Sequence, residues 1–267
     1  AHFNGKILLM SNNHGILTEF RQNDNGIFEY KTDHNFRLPG PMRGIRSSND
    51  FRSLYVSADS ARTPFGKIPP EYTTDFIHIV RITNDSLQVE KKVLSLRKHS
   101  HYVEISDGGN AMRHSYLPYR YSDKFNPLPD KRVLVQRPQR ALIQIYDKSM
   151  TPDYELKLDI KDRLLTQEDM EYHFSEISSS ERQKRRMLIK DVKPPFTRVM
   201  MDGQKNFWLL TDQTKDGKEW VILSCKGEPL GRLLFPENST LHTIKGEKLY
   251  FTNNTGEPII EVYSYKL

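Results

Sequence analysis

Trp220-Val-Ile-Leu-Ser-Cys-Lys-Gly-Glu-Pro-Leu-Gly-Arg-Leu-Leu-Phe235 reads as an apolar strand, a polar turn and a returning strand. The same pattern recurs in Leu142-Ile-Gln-Ile-Tyr-Asp-Lys-Ser-Met-Thr-Pro-Asp-Tyr-Glu-Leu-Lys-Leu158 and in Phe76-Ile-His-Ile-Val-Arg-Ile-Thr-Asn-Asp-Ser-Leu-Gln-Val89. Aligned on their third strands, the repeats fall at Ile79, Ile145, Ile222 and Val262, at intervals of 66, 77 and 40 residues. The shortest interval matches a four-stranded propeller blade, about 40–50 residues, and the longer ones fit a blade plus an insertion. About eighteen strands are expected, grouped three, four, four, four and three. The fold class is therefore all-β: a β-propeller of four-stranded antiparallel blades, five or six in number or an incomplete set, since six blades need about 24 strands. It is expected as a single domain over residues 1–267, because neighbouring blades bury each other's faces.

Working outward, the N-terminal segments Lys6–Met10, Ile16–Phe20 and Ile27–Tyr30 are short apolar runs punctuated by Asn12–Gly15 and Asn23–Gly26. Such Asn-Gly punctuation marks hairpins. Leu38-Pro-Gly-Pro41 lies in a connection over 34–50, and 58–74 reads as a long loop holding Pro64, Pro69 and Pro70. Residues 97–130 read as irregular and rich in His, Tyr and Arg. One segment breaks the β pattern. Thr166-Gln-Glu-Asp169 is a helix start of the capping-box type. Ser178-Ser-Ser180 interrupts the helical stretch, so 166–190 is expected to form a two-helix insertion.

Composition bounds the function. A 36% apolar fraction with 10% aromatics supports a buried core rather than disorder. A net charge of +6 permits anionic partners. The single cysteine, Cys225, excludes an intrachain disulfide and reads as a half-buried thiol beside a turn. No run approaches the roughly 20 apolar residues of a membrane helix. Ala1-His-Phe-Asn-Gly5 carries no signal peptide and reads as a processed start. No phosphate loop, H-E-x-x-H, paired-cysteine or G-x-S-x-G motif is present, so no catalytic residue, metal or cofactor is expected.

The C-terminal half carries a resemblance. Pro195–Gly203, Asn206–Leu210, Trp220–Ser224, Lys226–Gly231 and Leu234–Glu237, with the closing Ile244–Tyr250 and Gly256–Tyr263, resemble the last blades of bacterial six-bladed NHL/TolB-like β-propellers. Ile145-Tyr-Asp147 followed by Leu165–Asp169 resembles that group's blade plus helical insertion. These proteins are common among secreted and envelope proteins of Bacteroidetes-type bacteria. The resemblance covers residues 117–267. It implies an exported protein, periplasmic or on the cell surface as a lipoprotein, with any signal or anchor outside this chain. It implies no catalytic residues.

On a propeller, inner strands and their loops line an axial funnel. Arg113, His114, Arg120 and Tyr121, with Arg198 and Asp202 on the next blade, are the candidate ligand-binding residues: Arg interleaved with Tyr suits carboxylate, phosphate or sugar. The plainer reading is blade packing with Arg at the rim. His99 and His101 are too few to close a metal site, and Asp123, Asp130 and Asp202 lack a calcium-loop spacing. The basic run Arg182, Lys184, Arg185 and Arg186 on the insertion is a candidate partner surface, against the alternative of a solvated helix face. The leading expectation is a non-catalytic binding or scaffold protein of the bacterial envelope with protein partners. The alternative is a lyase or hydrolase acting on an acidic glycan in the funnel. Nucleic acid is disfavoured, because no cluster of aromatic residues lies between the basic ones of the basic surface.

Overall fold

The computed structural model describes residues 2–3, 7–11, 16–35, 42–47, 53–59, 72–82, 87–99, 102–105, 112–115, 117–119, 121–128, 130–253 and 259–266. They form a β-propeller fold of antiparallel sheets with two short α-helices. The first sheet is β1 (His2–Phe3), β2 (Ile7–Ser11), β3 (Ile16–Gln22) and β4 (Phe28–Asn35). The second is β5 (Met42–Ser47), β6 (Ser53–Asp59), β7 (Tyr72–Ile82) and β8 (Leu87–His99). A two-stranded ribbon, β9 (Tyr102–Ile105) and β10 (Met112–Ser115), precedes the third sheet of β11 (Lys124–Pro127), β12 (Val133–Arg137), β13 (Leu142–Tyr146) and β14 (Pro152–Lys157). Then come β15 (Arg163–Leu164), helix α1 (Gln167–Phe174), helix α2 (Ser179–Arg186) and β16 (Val192–Lys193). The fourth sheet is β17 (Arg198–Met201), β18 (Phe207–Thr214), β19 (Gly217–Leu223) and β20 (Pro229–Phe235). The last has three strands, β21 (Ser239–Lys245), β22 (Lys248–Asn253) and β23 (Ile259–Ser264).

Two numbers differ from the sequence reading. The described strands are 23 rather than eighteen, and the four-stranded sheets are four rather than five or six. Among the strands the sequence reading lacks are β5, where 34–50 reads as a connection, β9, β10 and β11, where 97–130 reads as irregular, and the two-residue strands β1, β15 and β16. These are runs of two to six residues with too few apolar positions to show a period.

Every sheet keeps chain order, so each is a meander closed by hairpins. Burial falls across a sheet. All five residues of β12 are buried, and so are Phe207 to Thr211 of β18, whereas β20 alternates exposed and half-buried positions. Central strands are covered on both faces and outer strands on one.

Contacts divide the described chain into two compact units: 1–115 with 122–135 and 144–155, and 116–121 with 136–143 and 156–267. In the first, Tyr55, Ile77, Ile79, Leu94 and Leu96 of the second sheet pack on Phe125, Val133, Val135, Tyr146 and Met150. In the second, Trp208, Leu210, Trp220 and Ile222 pack on Leu241, Ile244, Leu249 and Phe251 of the last sheet. Both tryptophans belong to this second core. Cys225 is exposed rather than half-buried, because it sits in the β19–β20 turn that Ser224 and Glu228 close.

Candidate functional site

The helical insertion of the second unit organises the site. Thr166 caps α1: its side chain accepts from the Asp169 amide, and the Asp169 carboxylate accepts from the Thr166 amide at 2.8 Å. Ser178 caps α2 by accepting from the Glu181 amide. The antiparallel pair β15–β16 sets Arg163 opposite Lys193 and Leu164 opposite Val192.

Arg163 and Lys193 are tied to two carboxylates. The Lys193 Nζ lies 2.5 Å from Asp169 Oδ1 and 3.2 Å from Asp212 Oδ2. Arg163 reaches Asp212 at 3.3 Å and donates to the Thr211 carbonyl at 2.5 Å. Burial opposes the charge on Asp169, but hydrogen bonds from Lys193 and Thr166 outweigh it and hold its pKa below the usual carboxylate value.

Tyr119, Tyr121, His173, Lys193, Asp212 and Gln213 close a small pocket against this network. It measures about 10 Å³, room for about one water molecule. Tyr119 is buried, meets the His173 ring edge-on at 4.9 Å between centroids, and adopts φ 60°. That left-handed conformation is unusual for a bulky residue. Gln139 donates to its carbonyl at 2.9 Å. Its hydroxyl is buried near the Asp169 carboxylate, but makes no hydrogen bond of standard geometry among the described residues. Burial raises the pKa of Tyr119 and pushes Tyr121 up to about 12, and it lowers that of His173. The pocket thus favours neutral rings throughout.

Two wider openings lie in the same unit. The first is a groove of about 400 Å³ between α1 and α2, lined by Leu165, Met170, Ser179, Arg182, Gln183 and Arg186 among others. The residues flanking it in sequence, Leu164 and Met187, are 68% and 75% exposed, large values for apolar side chains. The second is a recess of about 370 Å³ lined by Arg140, Lys161, Arg163, Lys190 and Lys193, with Asp162 its one acidic residue.

The residues selected from sequence fall in different places. Arg113 and His114 lie on β10, in register with Glu104 and Val103, and their side chains lie outside the described residues, as does Arg120 altogether. Tyr121 lines the small pocket. Arg198 donates to the Leu241 carbonyl at 2.8 Å. Asp202 is buried and accepts from the Gln204 and Asn206 amides, the Asn206 side chain, the Trp208 indole and the Tyr265 hydroxyl. The structure therefore does not gather Tyr121, Arg198 and Asp202 into one pocket: the last two hold strands together. Of the basic run, Arg185 is buried and pairs with Glu181 at 2.6 Å, and Arg186 pairs with Asp191. Arg182 donates to the Phe174 carbonyl at 3.1 Å, and Lys184 is exposed. Among the described residues no three His, Cys, Asp or Glu side chains converge as metal ligands. No described helix is long and apolar enough to cross a membrane.

Sequence reasoning missed Arg163, His173, Lys193 and Asp212. Their meeting depends on β15 pairing with β16 across the helical insertion, a contact between segments about 30 residues apart that no local motif announces.

No family model matches the chain, and no curated protein matches it. Solved structures do. A protein of unknown function from Bacteroides caccae is 8% identical over 97% of this chain and 73% of its own, with a TM-score of 0.41. A catalytically inactive virginiamycin B lyase from Staphylococcus aureus, with quinupristin, is 12% identical over 98% of this chain and 71% of its own, at 0.34. A protein from Lactobacillus plantarum is 11% identical over 93% and 77%, at 0.35.

Proposed function

We propose that this chain is a non-catalytic binding or scaffold propeller of the NHL/TolB-like kind, working in the bacterial cell envelope and docking a protein partner on its helical insertion. One observation carries the reading. The α1–α2 groove holds an open volume of about 400 Å³ lined in part by Leu165 and Met170, and the residues next to its lining in sequence, Leu164 and Met187, are both mostly exposed. Large apolar side chains left in water near a groove are a feature of interaction surfaces. The cations alongside, Arg182, Lys184 and Arg186, suit a partner segment with apolar anchors and acidic neighbours.

The alternative, a lyase or hydrolase acting on an acidic glycan, needs a proton-transfer group that a sugar can reach. His173 and Tyr119 face a pocket of about 10 Å³, which admits water and not a sugar ring. Arg198 is engaged by a backbone carbonyl. Both facts support the binding reading.

The test is a photo-crosslinking residue at position 187, used on the source organism's envelope fraction. A discrete crosslinked partner is expected, and Leu164→Glu with Met187→Glu should abolish its capture with the melting temperature unchanged. No crosslink, or capture that survives the double substitution, overturns the proposal.

A further inference from the structure

The recess lined by Arg140, Lys161 and Lys190 plays no part in docking at the α1–α2 groove. Its inner wall is fixed. Arg163 and Lys193 face each other across the β15–β16 pair, and their charges are compensated by Asp212 and Asp169. Its rim is not compensated. Arg140 ends the 3-10 turn Pro138–Arg140, just before Ala141 in the left-handed conformation. Lys161 precedes β15 and Lys190 follows α2. All three are exposed, and none forms an ion pair or hydrogen bond among the described residues. Asp162 is the only carboxylate in the lining, so three unpaired cations and one anion share a single concavity.

Several other cations of this unit do find carboxylates, as at Lys215–Glu168, Arg232–Glu219 and Arg186–Asp191, whereas those that find none among the described residues, such as Lys226 and Lys248, are not gathered in this recess. Like charges brought together around a concavity raise the local potential and are relieved when a counter-charge binds. The volume of about 370 Å³ lies within the usual span for small-molecule sites, about 300–1,000 Å³. The lining contains no aromatic residue, so it offers no platform for stacking a nucleobase. We infer that this recess binds a compact organic polyanion through two or more carboxylate or phosphate groups. Arg140 supplies a planar fork for paired oxygens, Lys161 and Lys190 supply point charges, and the Pro194–Pro195 wall packs against the ligand's carbon frame.

Isothermal titration of the intact chain with citrate and with pyrophosphate tests this and distinguishes the two chemistries. Tighter binding of citrate assigns carboxylate, and tighter binding of pyrophosphate assigns phosphate. Either affinity should fall roughly tenfold or more between 0.05 M and 0.5 M salt. Arg140→Gln/Lys161→Gln/Lys190→Gln should weaken binding by at least about tenfold. A matched control, Lys226→Gln/Lys245→Gln/Lys248→Gln, removes the same charge from exposed positions on the fourth and last sheets and should change it less than about twofold. Failure of both anions to bind, or equal weakening by the two triple variants, overturns the inference. These outcomes are independent of the α1–α2 groove.

Discussion

At the scale of single residues, Asp202 shows how a side chain selected as a ligand group can be structural. It sits directly after β17, and its carboxylate accepts five hydrogen bonds from Gln204, Asn206, Trp208 and Tyr265. Asp202→Ala leaves those buried donors unmatched and should cost about 3 kcal/mol, read as a shift of the urea midpoint. Tyr119 is the converse. Its hydroxyl is buried without a hydrogen bond of standard geometry among the described residues, so Tyr119→Phe should be neutral or stabilising by about 1 kcal/mol in the same measurement. His173 sets a pH dependence. Burial lowers its folded pKa below 6.5, so the unfolded chain takes up a proton that the folded chain refuses. Stability is therefore complete above about pH 6.5 and declines as the pH falls below it. His78 is buried and lowered in the same direction, so His173→Gln should lessen, and not abolish, the fall of the denaturation midpoint between pH 7.5 and 5.5. Asp169, held below its ordinary value, adds a further loss only as the pH falls below about 4.

At the scale of elements, turns and caps decide. Gly217 opens β19 at φ 146°, and a Cβ there would stand 2.3 Å from the Phe235 carbonyl oxygen. Gly217→Ala should cost about 2–4 kcal/mol, because the clashing atom is backbone of the neighbouring strand and cannot swing away. Removing the helix caps is milder. Thr166→Ala or Ser178→Ala should each cost about 1 kcal/mol, with most of the loss seen as reduced helical circular dichroism. Both helices are legible in the sequence, because a cap acts within one turn: Thr166 with Asp169 and the Ser178–Ser180 break place α1 and α2 within a residue or two of their observed starts. The strands of the C-terminal half are legible for a similar reason, since Phe207–Leu210 and Val221–Leu223 are unbroken apolar runs between turn residues. β9 and β10 are not. Tyr102–Ile105 and Met112–Ser115 hold their place by pairing with each other, and pairing leaves no trace in either strand alone.

At the scale of the whole molecule, the propeller repeat can be read while the site cannot. The repeat is periodic, and a period survives insertions. The recess collects Arg140, Lys161, Lys190 and Lys193 from separate stretches of chain, each an ordinary cation where it stands in the sequence. The net charge of +6 likewise gives no hint that part of it converges. The placing of the aromatic indoles has a spectroscopic consequence. Trp208 and Trp220 are the chain's two tryptophans, and both sit in the core shared by the fourth and last sheets. Their emission is therefore an optical channel of that core alone: a ligand entering the second unit or a substitution loosening it can recolour the protein's fluorescence, while events around Tyr55 and Ile77 pass unseen in that light.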